Sequence, residues 1–262
     1  MDDILNLSDY PLNQLQSVAG QALVARCQAD LTETGMFNLP DLVRPEALAK
    51  CVSEVVPELE ANAYSHAQEH NIYFKKTVEG LAPNHPALKT SRTSNRKICG
   101  DQMDGFVLTK IYEWPPLADF LAAVMGKPQL HVMADPLARV NVMTYSHGET
   151  LNWHFDRSEF TTTLLLQAPK AGGEFQYRSD LRRDDDPNYG GVAKLLAGED
   201  SKVRTMPLTA GTLNVFRGKN TAHRVSAVEG ATERILAVFS YYERAGVHFS
   251  TEDRIKFYGR AA

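Results

Sequence analysis

The sequence has little of what several common protein classes require. Three cysteines, Cys27, Cys51 and Cys99, occur in 262 residues; their odd number and wide spacing exclude a disulfide framework and fit reduced, buried thiols in the cytoplasm. No apolar run approaches the ~20 residues that cross a bilayer, and the opening MDDILNLSDY lacks the basic stretch and apolar core of a secretory signal. Positive charge is not in excess: 28 Lys and Arg stand against 32 Asp and Glu, a net charge of −4, so a nucleic-acid backbone is not an expected partner. With 43% hydrophobic and 23% charged residues the composition is that of a globular protein. The expectation is a cytoplasmic monomer or homodimer, handling a small molecule, with no membrane or nucleic-acid partner.

Hydrophobic periodicity changes character along the chain. In the first half apolar residues return every three or four positions, in Leu15, Val18, Leu23 and Val24 and again in Leu48, Cys51, Val52, Val55 and Val56, which predicts helices. Pro45 suits a first helical turn. A third helix is expected over Pro116–Met125, stopped by Gly126 and Pro128. Residues 80–105, rich in Pro, Gly, Ser, Asn and charge, read as a long loop and a candidate substrate lid.

From about residue 137 the texture becomes short Val-, Thr-, Leu-, Phe- and Tyr-rich runs separated by turn residues: ARVNVMTYS, EFTTTLLLQ, GGEFQYR, KVRTMPLT, GTLNVFRG, AHRVSAV and RILAVFSYYE. Such a series predicts an antiparallel barrel or sandwich. The acidic run Asp184–Asp186 and the apolar-periodic piece after it read as a surface excursion carrying one short helix. The expected architecture is α+β and mainly β: a single domain over 1–262, with a helical part at 1–136 packed on a β core at 137–262.

The chemistry-bearing pattern begins at Trp153-His154-Phe155-Asp156. On a strand, His154 and Asp156 point to one face and Trp153 and Phe155 to the other. An H-x-D triplet alone is a weak signal; it strengthens when GTLNVFRG leads on to His223 and, 11 positions later, to Arg234. Two imidazoles and one carboxylate make a facial metal triad that leaves open positions on an octahedral iron. A guanidinium in the following strand-like run can hold a carboxylate by a two-pronged pair that lysine matches poorly. Asn141 and Tyr145, on one face of a strand, are further candidates for the cofactor pocket. Arg92, Arg96 and Arg157 are candidates for a substrate group. His66 and His70 have the spacing of a helical metal pair, but with no third ligand in view they read as surface residues.

The stretch from His154 to Tyr242, above all NWHFDRSEFTTTLLLQAPKAGGEFQYR, GTLNVFRGKNTAHRVSAV and ERILAVFSYYE, resembles the iron(II)/2-oxoglutarate-dependent oxygenases. Within them it is similar to the group of bacterial halogenases and hydroxylases of free amino acids such as lysine. The resemblance implies a double-stranded β-helix, or jelly roll. It implies iron(II) on His154, Asp156 and His223, 2-oxoglutarate held by Arg234, and dioxygen as co-substrate. Halogenases of the group carry a small residue in place of the metal-binding carboxylate, which makes room for chloride. Here Asp156 fills that position, so hydroxylation is implied. Lysine-specific members flank the first metal-binding His with acidic and His side chains; Leu151 and Arg157 stand here instead, and Arg157 would repel an ammonium by on the order of a kcal/mol if it faced the pocket. Another amino acid, or one with a modified or neutral side chain, is the expected substrate. Desaturation or oxidative ring closure on the same scaffold is the alternative outcome. A non-catalytic metal-binding jelly roll and a zinc hydrolase are the rivals from other classes.

Overall fold

The computed structural model describes residues 1–261. Chain order is α1 (Val18–Thr34), β1 (Met36–Leu39), α2 (Pro45–Asn62), β2 (Tyr64–His70), β3 (Ser91–Cys99), α3 (Val107–Glu113), α4 (Pro115–Met125), β4 (His131–Val132), β5 (Val140–Tyr145), β6 (Leu151–His154) and β7 (Thr161–Gln167). It continues with β8 (Ala171–Gly172), β9 (Phe175–Arg178), α5 (Tyr189–Ala197), β10 (Arg204–Met206), β11 (Leu213–Phe216), β12 (Ala222–Val225), β13 (Val228–Glu229), β14 (Arg234–Phe239), β15 (Tyr241–Tyr242) and α6 (Thr251–Tyr258). No helix among these is long and apolar enough to cross a membrane.

Helix boundaries follow local chemistry. The Ser17 side chain accepts from the Gly20 amide and starts α1. Pro45 opens α2. Gly126 stops α4 in the left-handed conformation, at φ 65°, where a side chain would be strained. The excursion after β9 carries α5, begun by Asn188.

Two antiparallel sheets form the core. The larger has the order β1-β11-β7-β14-β5-β3-β2 and the smaller the order β10-β9-β12-β6. This is the expected double-stranded β-helix, with helices covering one face of the larger sheet. Alternation along the strands sorts the two faces. Val140, Val142, Leu164, Leu166, Leu213, Val215, Ile235, Ala237 and Phe239 pack with the buried faces of α1 to α4 in one continuous apolar cluster. The residues between them, including Asn141, Met143, Tyr145, Thr163, Leu165, Asn214, Arg234 and Leu236, face into the barrel. A second cluster, with Trp153 and Phe155 on α5, lies behind the smaller sheet. All three cysteines are buried and unpaired.

Two expectations are corrected. Residues 80–105 are not a continuous loop: Ser91–Cys99 form β3, between β5 and β2 in the larger sheet. The strand was hidden because its barrel-facing residues, Thr93, Asn95 and Lys97, are polar, so no apolar alternation marks it. His66 and His70 are not a helical surface pair: both lie on β2. His70 is buried, with Nδ1 at 3.0 Å from the Asn71 carbonyl and Nε2 at 2.8 Å from the Thr93 hydroxyl.

Candidate metal centre

β6 and β12 are hydrogen-bonded neighbours in the smaller sheet, and their register sets His154 directly opposite His223. The two rings lie 4.0 Å apart between centroids. Asp156 follows the end of β6, fixed by its amide donating to the Gly218 carbonyl. Its oxygens reach both rings: Oδ1 is 3.4 Å from His154 Nε2 and Oδ2 is 3.4 Å from His223 Nε2. One ligand atom from each of the three residues falls within 4.8 Å of the others.

The protonation pattern suits a cation. His154 Nδ1 donates to the Asn152 carbonyl at 2.8 Å, and His223 Nδ1 donates to the Thr221 carbonyl at 3.0 Å. A carbonyl only accepts, so each Nδ1 carries the hydrogen and each Nε2 presents its lone pair to the centre. Burial, and then the neighbouring His223, push His154 below its ordinary pKa, toward the neutral form that binds metal. Burial alone would raise Asp156, but where the rings carry a proton on Nε2 in place of a metal, the charge on His223 and the hydrogen bonds from both imidazoles outweigh it and hold the carboxyl well below the usual range. Thr161 donates to Asp156 Oδ2, orienting the carboxylate from outside the centre. Gly218 permits this packing: any side chain there would collide with the Asp156 carboxylate and the Thr161 hydroxyl. Phe216 packs edge-on against His223 at 4.7 Å between centroids.

Arg234 enters the barrel from the larger sheet. It is 2% exposed, pairs across the strands with Tyr145, and its Nε donates to the Gly173 carbonyl at 3.1 Å. Nη1 is buried with no partner. Burial pushes the guanidinium down to about 10, with Tyr145 acting in the opposite direction. A buried cation with a free donor is costly unless a carboxylate completes it. Two imidazole nitrogens and a carboxylate on one sheet, with such an arginine facing into the barrel from the other, fit iron(II) and 2-oxoglutarate respectively.

The other candidates divide. Tyr145 faces the barrel beside Arg234, its hydroxyl 3.9 Å from Met143 Sδ. Asn141 faces the same way two pleats on; its Nδ2 donates to the Leu137 and Val140 carbonyls, and its Oδ1 accepts from Tyr258. Arg96 is turned to the helix-covered side of the sheet, where it pairs with Glu233 at 2.5 Å in a pocket walled by Val56 and Leu59 of α2. Arg92 is exposed, on the same side of β3 as Arg96. Arg157 is mostly exposed, bonded to Asp253 at 2.9 Å and stacked on Phe257. The structure brings neither Arg92 nor Arg96 to the triad, and it ties Arg157 to α6.

Two further features have little sequence signal. α6 lies across β2, β3 and β5, with Tyr258 bonded to Asn141 and Gly259 against the Tyr64 ring; it is anchored by Arg254 Nε donating to the fully buried Asp135 at 2.8 Å. Phe74 has a left-handed backbone, φ 53°, stacks on His70 at 4.3 Å and sits 6.2 Å from His154. A bulky residue at positive φ is a conformational outlier that sequence does not display.

A family model described as HalD, Halogenase D, matches residues 19–255. No curated protein matches the chain. Among solved structures it is similar to the epimerase SnoN, in complex with Fe3+, alpha ketoglutarate and nogalamycin RO, at 14% identity and a TM-score of 0.56, over 84% of each chain. HygX from Streptomyces hygroscopicus, with nickel and 2-oxoglutarate bound, is 12% identical with a TM-score of 0.56, over 82% of this chain and 85% of that one. A prolyl hydroxylase from Trichoplax adhaerens, in complex with a peptide fragment of hypoxia inducible factor, is 12% identical with a TM-score of 0.51, over 86% of this chain and 91% of that one. At these identities the likeness establishes the fold.

Proposed function

The chain belongs to the Halogenase D family, and from that premise we propose that it is an iron(II)- and 2-oxoglutarate-dependent oxygenase that hydroxylates a free amino acid or amino-acid derivative. The observation that carries the reading is the pairing of the triad with Arg234, whose buried Nη1 lacks a partner. A structural metal site has no use for an uncompensated guanidinium in the same barrel; a keto-acid cofactor with a distal carboxylate does.

His154, Asp156 and His223 would hold the metal, and Arg234, with Tyr145 beside it, would hold the distal carboxylate. Iron and 2-oxoglutarate, when bound, supply activation of dioxygen and oxidation of a C–H bond, with succinate and carbon dioxide released. The carbonyls of Asn152 and Thr221 keep the imidazoles in the metal-binding tautomer, and Thr161 keeps the carboxylate aimed. Phe74 and Phe216 flank the histidines with apolar surface that excludes water. Asp156 occupies the place a halide would need, which favours hydroxylation although the family is named for halogenases.

The test is anaerobic addition of 2-oxoglutarate to the iron protein, expected to give a visible metal-to-ligand charge-transfer band. Admission of air with an amino-acid panel then gives succinate and a product heavier by one oxygen atom. A product lighter by two hydrogens identifies desaturation or ring closure instead. Absence of both band and succinate refutes the reading.

A further inference from the structure

β3 carries a polar, barrel-facing row that neither the metal nor Arg234 uses. Arg234 pairs with Tyr145, Leu236 with Met143, and Met143 in turn with Lys97, so Lys97 shares a face with Arg234. Asn95, two residues earlier, lies on that face opposite His66 of β2. Lys97 is 7% exposed and Asn95 2%. Among the described residues no carboxylate pairs with the ammonium, and the ionisable groups nearest in effect are the buried Cys99 thiol and the His66 imidazole. The Asn95 Oδ1 is buried with no donor to it. Around Lys97 stand Tyr64 and His66 of β2, Met143 of β5 and Cys99 of β3, with Gly259 after α6 closing on Tyr64. His66 is neutral above pH 5, held down to about 4 by burial first and by Lys97 second; Lys256 of α6 adds to this.

An unpaired lysine costs stability in such a place, where a methionine would pack without penalty. The charges in the barrel say what it awaits. Resting on the oxygenase reading, iron(II) cancels the 2-oxoglutarate dianion and Asp156 cancels Arg234. Lys97 remains as a positive charge that no carboxylate of the described residues meets, so a carboxylate on the substrate is the group that completes it. Beside it, Asn95 Oδ1 offers an acceptor with no donor. The two side chains spring from same-face positions roughly 7 Å apart, a gap that the flexible lysine stem closes.

We propose that Lys97 and Asn95 form the receptor for the backbone end of an α-amino acid substrate, Lys97 donating to the α-carboxylate and Asn95 Oδ1 accepting from the α-ammonium. With both α groups held on β3, the bond presented for oxidation lies in the side chain. The substrate class is an α-amino acid free at both α groups, and an amide-linked residue is excluded.

The test compares L-amino acids with the amines that lack their α-carboxylate and the acids that lack their α-amine, reading succinate formed in the iron protein with 2-oxoglutarate. In parallel, the Lys97 13Cε shift is followed with pH in protein carrying 13C-labelled lysine, assigned by its loss in Lys97→Met. The expected result is that amino acids stimulate turnover and the matched amines do not. Lys97→Met should need about 10- to 100-fold more substrate, the cost of a hydrogen bond to a charged group, and Lys97→Arg should recover part of it. The Lys97 titration should move to higher pH when a stimulating acid binds, and the charge-transfer band with 2-oxoglutarate should be the same in Lys97→Met as in the wild type. Amines that stimulate as well as amino acids, a Lys97→Met variant with unchanged substrate dependence, or a Lys97 signal that no acid moves would each overturn the proposal. Failure of the oxygenase reading looks different: the wild type would then give no charge-transfer band.

Discussion

Arg234→Met separates the cost of the empty carboxylate site from its use. Burial moves the guanidinium from 12.5 to about 10, which at 1.36 kcal/mol per unit is about 3 kcal/mol of charge burial. The sign follows from linkage: a base whose folded pKa is depressed binds fewer protons folded than unfolded, so the penalty is complete below pH 10 and fades as the pH rises toward 12.5. At neutral pH the variant is relieved of all of it. It also loses the Nε bond to the Gly173 carbonyl, at about 1 kcal/mol, and methionine fills a similar volume. The expected net gain is about 2 kcal/mol, or about 4–8 °C in Tm for a chain of this size. Ligand reverses the order. With iron(II) under anaerobic conditions and 2-oxoglutarate at about 100 times its Kd, the wild type gains about 2.7 kcal/mol by mass action, whereas Arg234→Met gains nothing. The assay is a pair of melting curves for each protein, with and without 2-oxoglutarate. A variant that is destabilised in the absence of ligand, or that keeps the ligand-dependent rise in Tm, refutes the assignment of Arg234.

Three further outcomes follow from the same contacts. Asp156→Gly removes the carboxylate ligand and should weaken iron binding by more than the roughly 10- to 100-fold that losing an outer partner costs, read by calorimetry; a chlorinated product formed in its presence with chloride would place the substrate beside the vacated position. Thr161→Val removes the one side-chain hydroxyl that orients Asp156 and should cost about 10- to 100-fold in iron affinity while leaving Tm within a few degrees. Asp135 accepts from Leu137, Ala138, Phe249 and Arg254, and these bonds outweigh the effect of burial and keep its carboxyl below 3.8. Its contribution is therefore complete above pH 3.8 and is lost as the pH falls through the lower folded value. Asp135→Asn should cost about 3–5 kcal/mol and release α6, visible as faster amide exchange over Thr251–Tyr258.

Legibility tracked the physical source of each signal. Helices α1, α2 and α4 announced themselves because each buries one apolar stripe, and Gly126 and Pro45 punctuate them. The seven apolar runs after residue 137 each contain a strand, since one face of each strand is core or packs beside it. β3 and β2 escaped notice for the converse reason: their barrel faces are lined with Asn95, Lys97, His66 and His70, and a strand that serves a polar chamber has no hydrophobic period to read. α6 gave little to read because it is largely polar and is held by a few long-range bonds to Asp135 and Asn141.

The sequence by itself determined the donor set. An imidazole and a carboxylate two apart, a second imidazole and a following arginine are covalent facts, and the chemistry of nitrogen and oxygen donors points from them to iron and a keto acid without coordinates. Only the tertiary structure decided which charges are compensated. It turned Arg96 outward to Glu233, spent Arg157 on Asp253, and left Arg234 and Lys97 as the unpaired cations on the barrel side of the larger sheet. The reason is that burial and partnership depend on which face of a strand a residue occupies and on what the opposing sheet brings to it. A one-residue step along β3 separates Arg96 in its ion pair from Lys97 in the chamber.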